Sequence, residues 1–197
     1  MRNSSGASPK VKAQDNTHTD YSLSATVSLA ALLNGKRSDR QFRQLVRNLL
    51  TVARRIELAR DHFGRGLNIT GPQYNLLMTV AEFQGVAGVS VGAVAQAMHV
   101  SSSFVTAETG KLLEVGLVRK RPNPSDRRGA LLKLSSLGRA KIHRLLAEIR
   151  AVNDLFFGRL TAGSFGALCA GTEALVEGSR EAMQYIARME ERAENSL

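Results

Sequence analysis

From residue 90 to residue 134 the sequence spells two short helices with a tight break between them, then two extended runs joined by a basic loop. That order restricts the fold more than any other feature of the chain. Ser90 starts the first helix, through Val91, Val94, Ala95 and Met98. The break falls at His99 and Val100, and Ser101 or Ser102 caps the second helix, which runs to about Val115. Gly116 stops it. Residues 117–120 and 130–134 then read as strands around the loop 121–129, whose Pro122, Pro124 and Gly129 are turn residues. Two short helices with a tight turn make a helix-turn-helix, and the extended pair makes a β-hairpin with a cationic tip.

The flanking segments are longer and purely helical in pattern. Phe42, Leu45, Val46, Leu49, Ala53, Ile56 and Phe63 recur at three- and four-residue steps, predicting an amphipathic helix over 39–63 that Gly64 and Gly66 end. Thr70 with Pro72 reads as an N-cap and first-turn proline for a helix carrying Tyr74, Leu77, Met78 and Ala81, broken at Gly85 and Gly88. After Ser135 and Ser136, Leu137, Ala140, Leu145, Ile149, Val152 and Phe156 mark another helix, closed by Gly158. Thr161 caps a last one reaching Met189. Upstream, Ser24 is expected to cap a short helix through Ala25, Val27, Leu29, Ala30, Leu32 and Leu33, with Gly35 as its stop. Residues 1–21 hold hardly any large apolar side chain and are expected to form a disordered arm.

Charge narrows the partners. Lys and Arg total 27 against 17 Asp and Glu, a net charge of +10, the footprint of a polyanion binder. No stretch approaches the roughly 18 uninterrupted apolar residues of a spanning helix, and no basic cluster adjoins an apolar anchor, so nucleic acid is the better match than a membrane surface. The first twenty residues lack the apolar core of a secretory signal. The single cysteine rules out an intrachain disulfide and a Cys-based zinc cluster. Cytoplasmic residence is the expectation.

A helix that enters the DNA major groove needs small polar residues at its start and apolar residues behind. Ser101, Ser102, Ser103 and Thr106 supply the first set, Val105, Leu112 and Val115 the second. A Ser-capped core helix shows the same start, and the hairpin decides between the readings. Arg119, Lys120, Arg121, Arg127, Arg128 and Lys133 face the single acid Asp126, and a narrow minor groove attracts arginine.

The stretch 70–138 closely resembles the MarR (multiple antibiotic resistance regulator) family of winged-helix repressors. The matching residues are Thr70 with Gln73; Val94, Ala95 and Met98; Val100 and Ser101; Val105 and Thr106; Leu112; Gly116, Leu117, Val118 and Arg119; Pro124, Ser125, Asp126, Arg127, Arg128 and Gly129; then Leu134, Ser135 and Gly138. The resemblance implies a mainly α fold with a small β-hairpin wing, a winged helix-turn-helix between long dimerisation helices. It divides the chain into the arm 1–21, N-terminal dimerisation helices 22–66, a DNA-binding domain 67–136 and C-terminal dimerisation helices 137–197. It implies that the helix 102–115 reads the major groove and that Arg128 enters the minor groove, oriented by Asp126. Ser101, Ser102, Ser103, Thr106, Lys111, Arg121, Arg127 and Arg128 are the expected DNA contacts. Ala107, Glu108 and Gly110 depart from the family's usual Arg, apolar residue and acid, which shifts affinity toward phosphates and the wing and predicts a steep salt dependence.

The first and last helices carry more apolar surface than a winged helix can cover, so a homodimer is expected, on a pseudo-palindromic operator with half-sites about 10 bp apart. The resemblance also implies a small, aromatic effector, for which Arg54, His62, Phe63, Tyr74 and Met78 are candidate lining residues. Simple inter-helix packing is the competing reading of Phe63 and Met78. Cys169, on the apolar face of the last helix, is expected to be a buried, inert thiol, and His18, His62, His99 and His143 lack metal-ligand spacing. No metal or cofactor is expected. No nucleophile is paired with a base, and there is no phosphate-cradling glycine loop and no carboxylate pair, so catalysis is not expected. A nonspecific architectural DNA-binding protein without an effector is the rival reading, and a monomeric protein-interaction module a third.

Overall fold

The computed structural model describes residues 23–34, 38–124 and 126–195, with the backbone but not the side chains at 126–128. The expected arm 1–21 and the helix stop at Gly35 lie outside the described residues. A 3-10 turn (Ala30–Leu32) precedes α1 (Arg40–Gly66), α2 (Gly71–Phe83), β1 (Val89–Ser90), α3 (Val91–Met98), α4 (Ser102–Glu114), β2 (Val118–Asn123), β3 (Asp126–Leu134), α5 (Ser136–Phe157) and α6 (Ala162–Glu194). The chain divides into two compact units, 1–53 and 54–197.

In the first unit the helix expected over 25–33 does not form. The segment is irregular, with a bend at Thr26, apart from the turn at Ala30–Leu32. Leu23, Leu29 and Leu32 stay exposed, so a helix here would bury no apolar face to offset its nucleation cost. Instead Asp39, only 1% exposed, accepts hydrogen bonds from the Thr26 backbone N–H and hydroxyl, both at 2.7 Å. Arg43 pairs with the same carboxylate at 2.8 Å. These bonds hold the Asp39 carboxyl below the ordinary aspartate range, the Thr26 backbone N–H contributing most.

The second unit is built round Phe63, Tyr74, Leu76, Leu77, Val80, Val94, Val105, Leu112, Leu117 and Leu132, all buried. Its antiparallel sheet has the order β1-β3-β2. β1 was not foreseen, because a two-residue strand shows no period; Val89 pairs with Leu132 and Ser90 with Leu131. The hairpin strands also reach further than expected, from residue 120 to Asn123 and back from 130 to Asp126. Pro122 is tolerated in β2 because β2 is an edge strand, and the register shifts beside it.

The wing returns to the helices through a tight junction. The Ser135 backbone N–H donates to the Leu117 carbonyl at 3.0 Å, the Ser135 hydroxyl donates to the Gly116 carbonyl at 2.6 Å, and the same oxygen caps α5 by accepting from the Gly138 N–H at 2.8 Å. A Cβ on Gly138 would lie 2.1 Å from the Leu117 carbonyl oxygen, so only glycine fits where α5 crosses the start of β2. α6 buries no residue within the chain and leaves Phe165, Leu168, Leu175, Met183 and Ile186 exposed. Among the described residues no helix is long and apolar enough to cross a membrane.

Candidate nucleic-acid interface

Side-chain caps position the interface helices. In α2 the Thr70 hydroxyl accepts from the Gln73 N–H at 3.3 Å while the Gln73 side chain accepts from the Thr70 N–H at 3.0 Å, a reciprocal capping box. Ser90 caps α3 at 3.1 Å and Ser101 caps α4 at 3.1 Å. His99 closes α3 in the left-handed region (φ 54°), which His enters more readily than most side chains. The turn of the helix-turn-helix therefore lies at His99 and Val100, where the sequence places it.

Three stripes run along α4. Val105, Thr109 and Leu112 are buried against the core; Phe104, Glu108 and Lys111 are half-buried on one flank; Ser102, Ser103, Thr106, Ala107 and Gly110 form the open face. That open face carries no cation, and its one charge is the exposed Glu114 at its C-terminal end. The Ser101 and Ser103 hydroxyls are 2.9 Å apart, and the Thr106 hydroxyl donates to the Ser102 carbonyl at 2.8 Å. On the flank, Gln73 Nε2 donates to Glu108 Oε2 at 2.9 Å, and Lys111 pairs with Glu114 at 3.0 Å. The hairpin adds exposed Arg119, Lys120 and Arg121. Lys133 is turned away from the tip, its Nζ donating to the Val86 carbonyl. The side chains of Asp126, Arg127 and Arg128 lie outside the described residues. Small hydroxyls on an open helix face beside a basic hairpin suit a groove between two phosphate chains.

Residues 67–129 match the model of the MarR family. In that stretch the chain is similar to the winged-helix domain of the MarR family. Solved structures agree in fold. AbsC, a MarR family transcriptional regulator from Streptomyces coelicolor, superposes with a TM-score of 0.63 at 20% identity, over 76% of this chain and 97% of that one. A mutant MarR from E. coli complexed with operator DNA gives 0.57 at 21% identity, over 68% and 95%. The PcaV transcriptional regulator from S. coelicolor, in complex with its natural ligand, gives 0.52 at 23%, over 64% and 90%. No curated protein matches the chain.

Between α1, α2 and α5 a cavity of about 240 Å³ is lined by Ile56, Arg60, Phe63, Tyr74, Met78 and Asn153, among others. Of the five residues expected to line an effector pocket, Phe63, Tyr74 and Met78 meet here. Arg54 faces a separate cleft, beside Glu57 at 3.4 Å. His62 pairs outward with Glu148 on α5 at 2.5 Å. The cation among the cavity's lining residues is Arg60, three residues before Phe63, a spacing that sequence alone could have flagged; it lines the Arg54 cleft as well, where its guanidinium donates to Asn75 Oδ1. Burial pushes the Tyr74 phenol up, against a smaller opposing effect of Arg60, so it stays a neutral O–H donor. Cys169, expected to be buried, is exposed, on a helix none of whose residues is buried. Among the described residues no group of His, Cys, Asp and Glu could hold a metal ion.

Proposed function

We propose that this MarR-family protein is a sequence-specific, double-stranded DNA-binding transcription regulator, a repressor that acts by binding rather than catalysis. The observation that carries the reading is the open face of α4, with the small hydroxyls of Ser102, Ser103 and Thr106, set beside the exposed Arg119, Lys120 and Arg121 of the hairpin. In this reading α4 enters the major groove, with Ser101, Ser102, Ser103, Thr106 and Lys111 at its contacts. Arg121, Arg127 and Arg128 reach the phosphates and the minor groove, and Asp126 steadies Arg128.

The working species is a cytoplasmic homodimer. The bare face of α6 and the exposed Leu45, Val46 and Leu50 of α1 are apolar surfaces that a second copy would cover. A two-fold dimer sets two recognition helices about one DNA turn apart. Nuclease protection of the region upstream of the protein's own reading frame tests this: two related half-sites about 10 bp apart support it, and uniform protection of any duplex points to an architectural protein.

The cavity is the site we assign to an effector that releases the DNA. Its volume lies just under the roughly 300–1,000 Å³ of common ligand pockets, which favours a single-ring compound. Phe63, Tyr74 and Met78 form apolar walls, with Arg60 as partner for a carboxylate. Calorimetry with benzoate and benzamide tests the assignment: Arg60→Met should abolish binding of the acid and spare the amide.

A further inference from the structure

We infer that Arg65, in the last turn of α1, is a DNA-phosphate contact that works with Lys111 on the flank of α4 that faces the start of α2. The inference rests on the DNA-binding reading and extends it. Arg65 and Lys111 share a cleft of about 380 Å³ with Asn68, Ile69, Thr70 and Gln73. Arg65 is exposed and its guanidinium has no hydrogen-bond or ion-pair partner among the described residues. Lys111 is held only by Glu114, in a half-exposed pair of the kind that contributes little and can be exchanged for a phosphate. The other acid of α4, Glu108, is engaged by Gln73.

Position supplies the partner. A helix lying in the major groove has a phosphate chain on either side of it. Lys111 lies on the half-buried flank of α4 that Gln73 of α2 also meets. The open face carries no cation at 102, 103, 106, 107 or 110, so the binding energy that long donors would supply falls to the flanks. Arg65 and Lys111 are the basic pair that lines the cleft on this flank, and a guanidinium can take a phosphate through two parallel hydrogen bonds.

The experiment is a salt series with wild type, Arg65→Gln, Arg65→Lys and Arg159→Gln against the upstream duplex and a random duplex. Arg159, in the turn between α5 and α6, controls for the loss of one charge. The slope of log affinity against log salt should fall by about 0.9 for Arg65→Gln on both duplexes, with the ratio between duplexes kept. Arg65→Lys and Arg159→Gln should retain the wild-type slope. A wild-type slope for Arg65→Gln, while the wild type binds, overturns the assignment of Arg65 alone. Failure of the wild type to bind either duplex overturns the DNA reading and this contact with it.

Discussion

Gln73 on α2 donates to Glu108 on α4 across 2.9 Å, so one amide side chain both closes the capping box of α2 and fixes the middle of α4. Its oxygen serves the Thr70 N–H and its nitrogen the Glu108 carboxylate. Gln73→Glu keeps an oxygen for the cap but sets two carboxylates against each other. It should destabilise the fold by about 1–2 kcal/mol, the scale of a hydrogen bond to a charged group, and weaken binding to the operator. The double variant Gln73→Glu with Glu108→Gln reverses the bond and should recover most of the loss. Chemical denaturation of the four proteins of the cycle checks this, and additive losses would show that the two residues are not coupled.

Gly138 and Gly92 should respond in opposite directions to the same substitution. A methyl at Gly138 meets the Leu117 carbonyl at 2.1 Å, whereas at Gly92 in α3 it meets nothing within 4 Å. Gly138→Ala should cost about 3 kcal/mol through overpacking, and Gly92→Ala should stabilise α3 by up to about 1 kcal/mol. Thermal melts of both variants decide it.

The bond between Asp39 and Thr26 should respond to acid. A carboxyl whose value is lowered in the folded chain stabilises it above the unfolded value, roughly pH 4, and that contribution disappears as the pH falls through the lowered value. The Thr26 amide resonance should therefore hold steady from neutral pH to about pH 4 and shift below it. Asp39→Asn should remove the transition. A midpoint above the ordinary aspartate value would contradict the assignment.

α6 offers the test of assembly. Leu175 and Met183 are exposed on it, so Leu175→Arg with Met183→Arg should leave the fold of a single chain intact. In sedimentation the wild type should run as a dimer and the double variant as a monomer. Operator affinity should fall by at least about a hundredfold as bivalent binding is lost. Two monomers would remove the dimer from the account, and two dimers would remove α6 from its interface.

What sequence made legible was local chemistry. Thr70, Ser90, Ser101, Ser135 and Thr161 each cap the helix whose start they mark, because a cap is a bond between residues three apart. The helix-turn-helix and the hairpin followed from those punctuation marks. What stayed hidden depends on distant partners. Asp39 draws Thr26 out of a helix, Lys133 leaves the wing for the Val86 carbonyl, and Arg60 rather than Arg54 meets the aromatic cavity. Each of these is decided by which elements pack together, which periodicity does not carry. The wing tip is legible only through its resemblance to the family, since the side chains of Asp126, Arg127 and Arg128 lie outside the described residues.

The most direct test of the central claim is a competitive titration of the protein against its own upstream duplex and a scrambled duplex at two salt concentrations, with Arg128→Ala alongside. The account predicts a preference for the upstream duplex of at least about a thousandfold, weakened by salt and by loss of Arg128. Equal binding to the two duplexes, or affinity indifferent to both salt and Arg128, would contradict it.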